Sequence, residues 1–158
     1  MNTAPKISLI MSVYNGEDYL RDAIESVLNQ TFKDFELIVI NDCSTDKTYE
    51  ILKRFAELDK RVKVHTNEVN LRLPSSLNKA ISYAQGKYIA RMDADDICLP
   101  ERLEKQYDFM ENNPSVALSS CRFMTLKNGL VSSGGCGGKS DNESIKALLL
   151  VTNPILHP

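Results

Sequence analysis

Residues 7–41 read ISLIMSVYNGEDYLRDAIESVLNQTFKDFELIVIN. Two short apolar runs, ISLIMSV (7–13) and FELIVIN (35–41), flank a polar segment that carries a repeating apolar stripe. Runs this short and this rich in Ile and Val form strands. The second is apolar on both faces, as a strand inside a parallel sheet must be. Between them, EDYLRDAIESVLNQ (17–30) puts Leu20, Ala23, Ile24, Val27 and Leu28 on one side of a helix, with Asn15 expected to cap it. Strand, helix, strand over this distance is a βαβ unit, so the two strands run parallel.

The alternation continues downstream. Ser44 or Thr45 is placed to cap a helix in which Ile51, Leu52, Phe55 and Leu58 recur at helical spacing, and RVKVHT (61–66) reads as a third strand. PSSLNKAISYAQG (74–86) opens on proline, closes on glycine and carries Leu77, Ala80, Ile81 and Ala84 on one side. KYIARM (87–92) is a fourth strand, Pro100 opens the helix ERLEKQYDFMENN (101–113), and SVALSSCRFMTL (115–126) reads as a further strand. This order predicts an α/β fold, a mostly parallel sheet with helices on both faces. The composition then changes: KNGLVSSGGCGGKSD (127–141) holds five of the seven glycines and is expected to be a mobile loop. A last helix is expected over NESIKALLLV (142–151), and TNPILHP is expected to lead into more of a larger domain.

The 158 residues suffice for one compact domain with a real core. A net charge of -2 gives no electrostatic pull toward nucleic acid or an anionic membrane. No apolar run is long enough to span a bilayer, and the N-terminus lacks a signal-peptide pattern, so it is read as mature protein. Cys43, Cys98, Cys121 and Cys136 form no C-x-x-C pair, and the only histidines are His65 and His157. Those spacings carry no zinc signature, and reduced thiols in a cytosolic protein are the plain reading.

Ligands gather at the carboxyl ends of strands in open parallel sheets. Three such ends stand out: SVYNG (12–16), NDCSTD (41–46) and DADD (93–96). The first contains a single glycine, Gly16, and matches neither G-x-G-x-x-G nor G-x-x-x-x-G-K-[ST]. A backbone cradle for a diphosphate is therefore absent in either familiar form, and a cation held by carboxylates is the other way to meet that charge. Asp93 and Asp95 point the same way if the fourth strand persists that far. Oxygen ligands of this kind suit Mg²⁺ or Mn²⁺, yet the same residues also suit a solvated turn ahead of a helix. Asp42 sits where nucleotide-binding folds meet a ribose or base edge, but NDCSTD is equally a turn with a helix cap. Tyr14 can stack on a base or cover the sheet edge, and Arg72 can pair with phosphate or lie solvated.

Two longer blocks narrow these alternatives: residues 7–48, ending in INDCSTDKT, and LNKAISYAQGKYIARMDADDICLPERLEKQ (77–106). Together they resemble the family 2 glycosyltransferases, inverting enzymes of Rossmann-like GT-A fold with a D-x-D signature. The resemblance implies a nucleoside diphosphate sugar donor, most often a UDP-sugar, and a Mg²⁺ or Mn²⁺ requirement. It implies that Ser12, Val13 and Tyr14 line the nucleoside pocket and that Asp42 accepts the imide N–H of the base. Arg72 approaches the nucleotide, Asp93 the ribose side with Ala94 beside it, and Asp95 holds the metal. Glu17 is a further pocket candidate, though an acid in the first turn of a helix reads the same.

By the same resemblance, residues 1–126 are the donor-binding core, and 127–158 the glycine-rich loop and the start of an acceptor-side region. The acceptor is a glycan or a lipid-linked glycan, and the setting cytoplasmic at the inner membrane face. The general base of such enzymes is an Asp or Glu late in the domain. After residue 111 the only acids are Asp141 and Glu143, in no recognisable motif, so the base is expected beyond residue 158. The remaining readings are a nucleotide- and metal-binding module without catalysis, and a sugar-nucleotide nucleotidyltransferase. The latter would want a glycine-rich, basic first loop where SVYNGED is acidic.

Overall fold

The structure is a computed structural model, and it describes residues 4–121, 123–127 and 130–134. The chain divides between Lys105 and Gln106 into two units. The first holds a four-stranded parallel sheet: β1 (Ile7–Val13), β2 (Phe35–Asn41), β3 (Val62–Thr66) and β4 (Tyr88–Arg91), in spatial order β3-β2-β1-β4. Helices α1 (Leu20–Leu28), α2 (Thr48–Leu58) and α3 (Arg72–Tyr83) connect them in turn. α4 (Arg102–Asn112) runs across the division, and the second unit carries an antiparallel pair, β5 (Phe123–Lys127) and β6 (Leu130–Gly134).

β1 and β2 are central and nearly solvent-free, which is why Ile, Leu, Val and Met predominate in them. Their even-numbered face carries Ile10, Ile38 and Ile40, packed on Ala80 and Leu77 of α3 and on Ala84 just past its end. Their odd-numbered face buries Leu9, Met11, Leu37 and Val39 completely. α1 buries Leu20, Ala23, Ile24 and Val27, and α2 buries Leu52 and Phe55. Right-handed crossovers give the layering its reason. The chain moves one way from β1 to β2 to β3 and then doubles back past β2 and β1 to β4, which sends α3 to the face opposite α1 and α2. That reversal leaves a crevice between the carboxyl ends of β1 and β4, the switch point of the sheet.

A buried polar cluster fixes the return of the chain from α3 to β4. Ser8 donates to Glu36 Oε1 at 2.5 Å and receives the Gly86 amide at 2.8 Å, while Lys63 reaches Glu36 Oε2 at 2.6 Å. Burial pushes the Glu36 carboxyl up, but bonds from Lys63, Ser8 and the Gln85 amide outweigh it and hold Glu36 below the usual carboxylate range. At Gly86 a Cβ would lie 2.5 Å from the backbone N of Ser8, so only glycine permits this approach.

Several expectations change. Leu58 and Ile81, assigned to apolar helix faces, are exposed at 73% and 47%. Asn15, Ser44 and Thr45 do not cap their helices, whose first turns follow Tyr19 and Lys47 without side-chain caps. The expected strand over 115–126 is confined to β5, since residues 116–121 have no ladder partner. The expected mobile loop begins instead as a strand: Lys127 pairs with Leu130 and Phe123 with Gly134. The two residues between the strands are Asn-Gly, a hairpin turn signal that the glycine-rich composition obscured. The helix expected over 142–151, Cys136, Asp141, Glu143 and His157 lie outside the described residues.

Candidate active site

The switch-point crevice is a cleft of about 400 Å³. Ser12, Val13, Tyr14, Asn15, Gly16 and Tyr19 line it from the β1 side, Asp93, Ala94 and Asp95 from the β4 side, with Leu73 of α3 between. The strand-alternation argument for the two aspartates does not survive, because β4 ends at Arg91. A turn brings them together instead, closed by the Asp96 amide on the Asp93 carbonyl. Met92 still bonds to the Ile10 carbonyl, so the turn starts from a point fixed on β1.

The two carboxylates differ. Asp93 is half-buried and gripped by Arg91, whose Nε and Nη2 reach Asp93 Oδ1 at 3.2 and 2.9 Å. Asp95 is exposed and makes no hydrogen bond or ion pair among the described residues. A carboxylate with its oxygens uncommitted suits Mg²⁺ or Mn²⁺, which take one or two protein carboxylates and complete their shell with phosphate and water. No cluster of three or more His, Cys, Asp or Glu able to hold a metal by itself occurs among the described residues. The donor set fits a cation shared with a bound diphosphate.

The β1 and β2 loops brace each other. The Asn15 amide donates to Ser44 Oγ at 3.0 Å, and Asn15 Oδ1 accepts the Thr45 amide at 2.9 Å. Glu17 accepts the Lys47 amide at 2.9 Å, and the Glu17 amide donates to Asp46 Oδ2 at 3.1 Å. Glu17 therefore closes the start of α2 rather than facing the cleft, whose lining it does not join. Asn15, Cys43 and Arg72 all adopt positive φ (52°, 62° and 64°), one strained residue after each of β1, β2 and β3.

Asp42 lies at the foot of these loops, only 2% exposed. Its Oδ1 accepts Asn67 Nδ2 and the Leu71 amide, both at 2.8 Å, and Asn67 is held in turn by Lys79 Nζ at 2.7 Å. Burial raises the Asp42 carboxyl, but the bonds from Asn67, the Leu71 amide, Ser76 and the Arg72 amide outweigh it and keep Asp42 below the ordinary aspartate range. Neither Asp42 nor the exposed Arg72 is among the cleft-lining residues; Leu73, beside Arg72, is. Sequence reasoning missed Asn15, Gly16, Tyr19 and Leu73 as lining residues. For Tyr19 the signal was an aromatic in an otherwise polar loop, and for Leu73 there was none.

The sequence pattern of the family described as Glycosyl transferase family 2 matches residues 8–132. The chain belongs to that family. Among curated relatives, it is 47% identical over 113 residues to the O-antigen biosynthesis glycosyltransferase WbnJ of Escherichia coli, covering 68% of this chain and 42% of WbnJ. It is 49% identical over 116 residues to the uncharacterized glycosyltransferase MJ1057 of Methanocaldococcus jannaschii, covering 72% of this chain and 40% of that protein. The chain thus spans about two fifths of the length of the curated relatives it matches. Among solved structures, S. aureus TarS (1–349) in complex with UDP superposes with a TM-score of 0.63 at 31% identity, over 69% of this chain and 33% of TarS. The mannosyltransferase PcManGT of Pyrobaculum calidifontis, in complex with GDP-Man and Mn²⁺, shares the fold at 22% identity with a TM-score of 0.55. The parallel sheet and its flanking helices are the GT-A arrangement of these glycosyltransferases.

Proposed function

We propose that this chain is the donor-binding part of an inverting, metal-dependent glycosyltransferase that moves a sugar from a UDP-sugar to a glycan or lipid-linked acceptor in surface polysaccharide synthesis. The observation that carries the reading is the cleft at the switch point, where Asp93 and Asp95 face the Ser12–Tyr14 loop. The solved TarS complexes contain UDP and UDP-GlcNAc, which supports a uridine donor.

In this reading Tyr14 offers its ring to the base, with Ser12, Val13 and Ala94 completing the nucleoside wall. Asp42, an ionised acceptor buried below the cleft lining, is assigned to a base edge that presents N–H, which requires the Leu71 amide on its Oδ1 to give way. Arg72 meets nucleotide charge from the start of α3, and Asp93, oriented by Arg91, takes the ribose. Asp95, with its oxygens uncommitted, would hold the cation, which supplies Lewis-acid neutralisation of the departing diphosphate. The general base that takes the acceptor proton is, in this reading, an acid other than Asp93 and Asp95, which both serve the donor.

Calorimetry with UDP in Mn²⁺ and in EDTA tests the reading. Wild type should bind UDP more tightly with Mn²⁺, and Asp95→Ala should lose that advantage while unfolding at the same temperature. UDP affinity indifferent to Mn²⁺ in wild type, or to the substitution at Asp95, sinks the assignment.

A further inference from the structure

Gln30 is fully buried at the end of α1, yet its carboxamide serves another segment. Nε2 donates to the carbonyls of Leu99 at 2.8 Å, Cys98 at 3.3 Å and Ser26 at 3.2 Å, and Oε1 accepts the Leu103 amide at 3.0 Å. Ser26 Oγ, one turn earlier, accepts the Cys98 amide at 2.9 Å while donating to Ala23 O. The Thr31 amide donates to Pro100 O at 2.9 Å. Residues 97–99 have no helix or strand of their own, so their backbone groups depend on partners of this kind. From the other side, Arg102 Nη2 reaches the Arg91 carbonyl at 2.8 Å.

The acidic turn is thereby suspended between two fixed points: Met92, bonded to β1, and Cys98, bonded to α1. We propose that Gln30, assisted by Ser26, is the positioning residue of the Asp93–Asp96 turn and so sets where Asp95 stands in the cleft. This rests on the reading of Asp95 as the residue that holds a cation with the donor diphosphate. An apolar side chain could fill the same volume. Only a carboxamide can satisfy two carbonyls and one amide of the incoming segment at once.

The test uses Gln30→Glu, which keeps the size and removes the N–H donors, alongside Ser26→Ala, which removes the bond to Cys98. UDP affinity is measured by calorimetry with Mn²⁺ and with EDTA, below the melting temperature of each variant. Amide hydrogen exchange at Cys98 and Leu103 is followed in metal-free protein. The expected result for Gln30→Glu is a loss of roughly tenfold or more in Mn²⁺, the scale seen when outer-shell support of a metal ligand is removed. In EDTA the affinity should stay within about twofold, and exchange at both amides should quicken. Ser26→Ala should move the Mn²⁺ arm the same way by a smaller factor, and it decides the matter if Gln30→Glu does not fold. Unchanged Mn²⁺-dependent affinity in a folded variant overturns the positioning role. So does an equal loss in both arms, which would mark a general structural defect. Wild-type UDP binding that ignores Mn²⁺ overturns the underlying reading itself, and the positioning role with it.

Discussion

Asp42 shows how much a single carboxylate depends on residues far from it in sequence. Its buried Oδ1 is matched by donors from Asn67 and Leu71, neither of which sequence spacing points to. Removing one of them leaves a buried carboxylate short of a partner, at a cost of about 1–3 kcal/mol. Asn67→Ala should therefore lower unfolding free energy in urea by that amount, and a loss under about 0.5 kcal/mol would contradict the role. Glu36 makes the pH argument. Its folded-state carboxyl lies below its unfolded value, so its contribution is complete above about pH 4.3 and is lost as pH falls through the folded value. Wild type should lose stability more steeply than Glu36→Gln on the acid side of that point. Parallel urea midpoints for the two proteins down to pH 3 would refute this.

At the scale of elements, strands and helices were legible because their apolar periods are strong and local. β1 and β2 fall where the pattern put them, and α1 lies inside its expected span. What the pattern hid was each polar side chain that reaches across space. Asn15 and Glu17 read as residues at the head of their own helix, yet they brace the loop that leads into α2. Gln30 reads as a polar residue ending α1, although it supports the segment after β4. Nothing in a one-dimensional period distinguishes these partners from solvent. The two described glycines at close contacts make a contrast that mutation can read. In Gly86→Ala the new Cβ meets backbone of Ile7 and Ser8, which cannot give way, and stability should fall by about 1–3 kcal/mol. In Gly16→Ala it meets Val13 Cγ2 at 2.5 Å, so the cleft-lining valine moves instead. UDP affinity should then suffer more than stability. Equal melting temperatures for the two variants would argue against this division.

For the molecule as a whole, the described architecture accounts for the parallel sheet and flanking helices of a family 2 fold, and among the described residues no helix is long and apolar enough to cross a membrane. Anything that binds the folded form alone stabilises it in proportion to the logarithm of its concentration. Saturating UDP with Mn²⁺, at about a hundred times its dissociation constant, should add about 2.7 kcal/mol. EDTA should return the melting temperature toward that of the unliganded protein, and a shift that survives EDTA would count against metal dependence.

The order β3-β2-β1-β4 has a kinetic side as well. β1 and β2 meet across a single helix, whereas β4 must return from beyond β3 to lie against β1, with Tyr88 opposite Ile7. Contacts that close long loops form late, after local ones have restricted the chain. The cleft has one wall on β1 and the other on β4, so it does not exist until the last strand has docked. UDP with Mn²⁺ should then slow the unfolding arm of a chevron plot and leave the refolding arm where it was. Nucleotide capture, measured in a refolding time course, becomes a clock for the final step of sheet assembly.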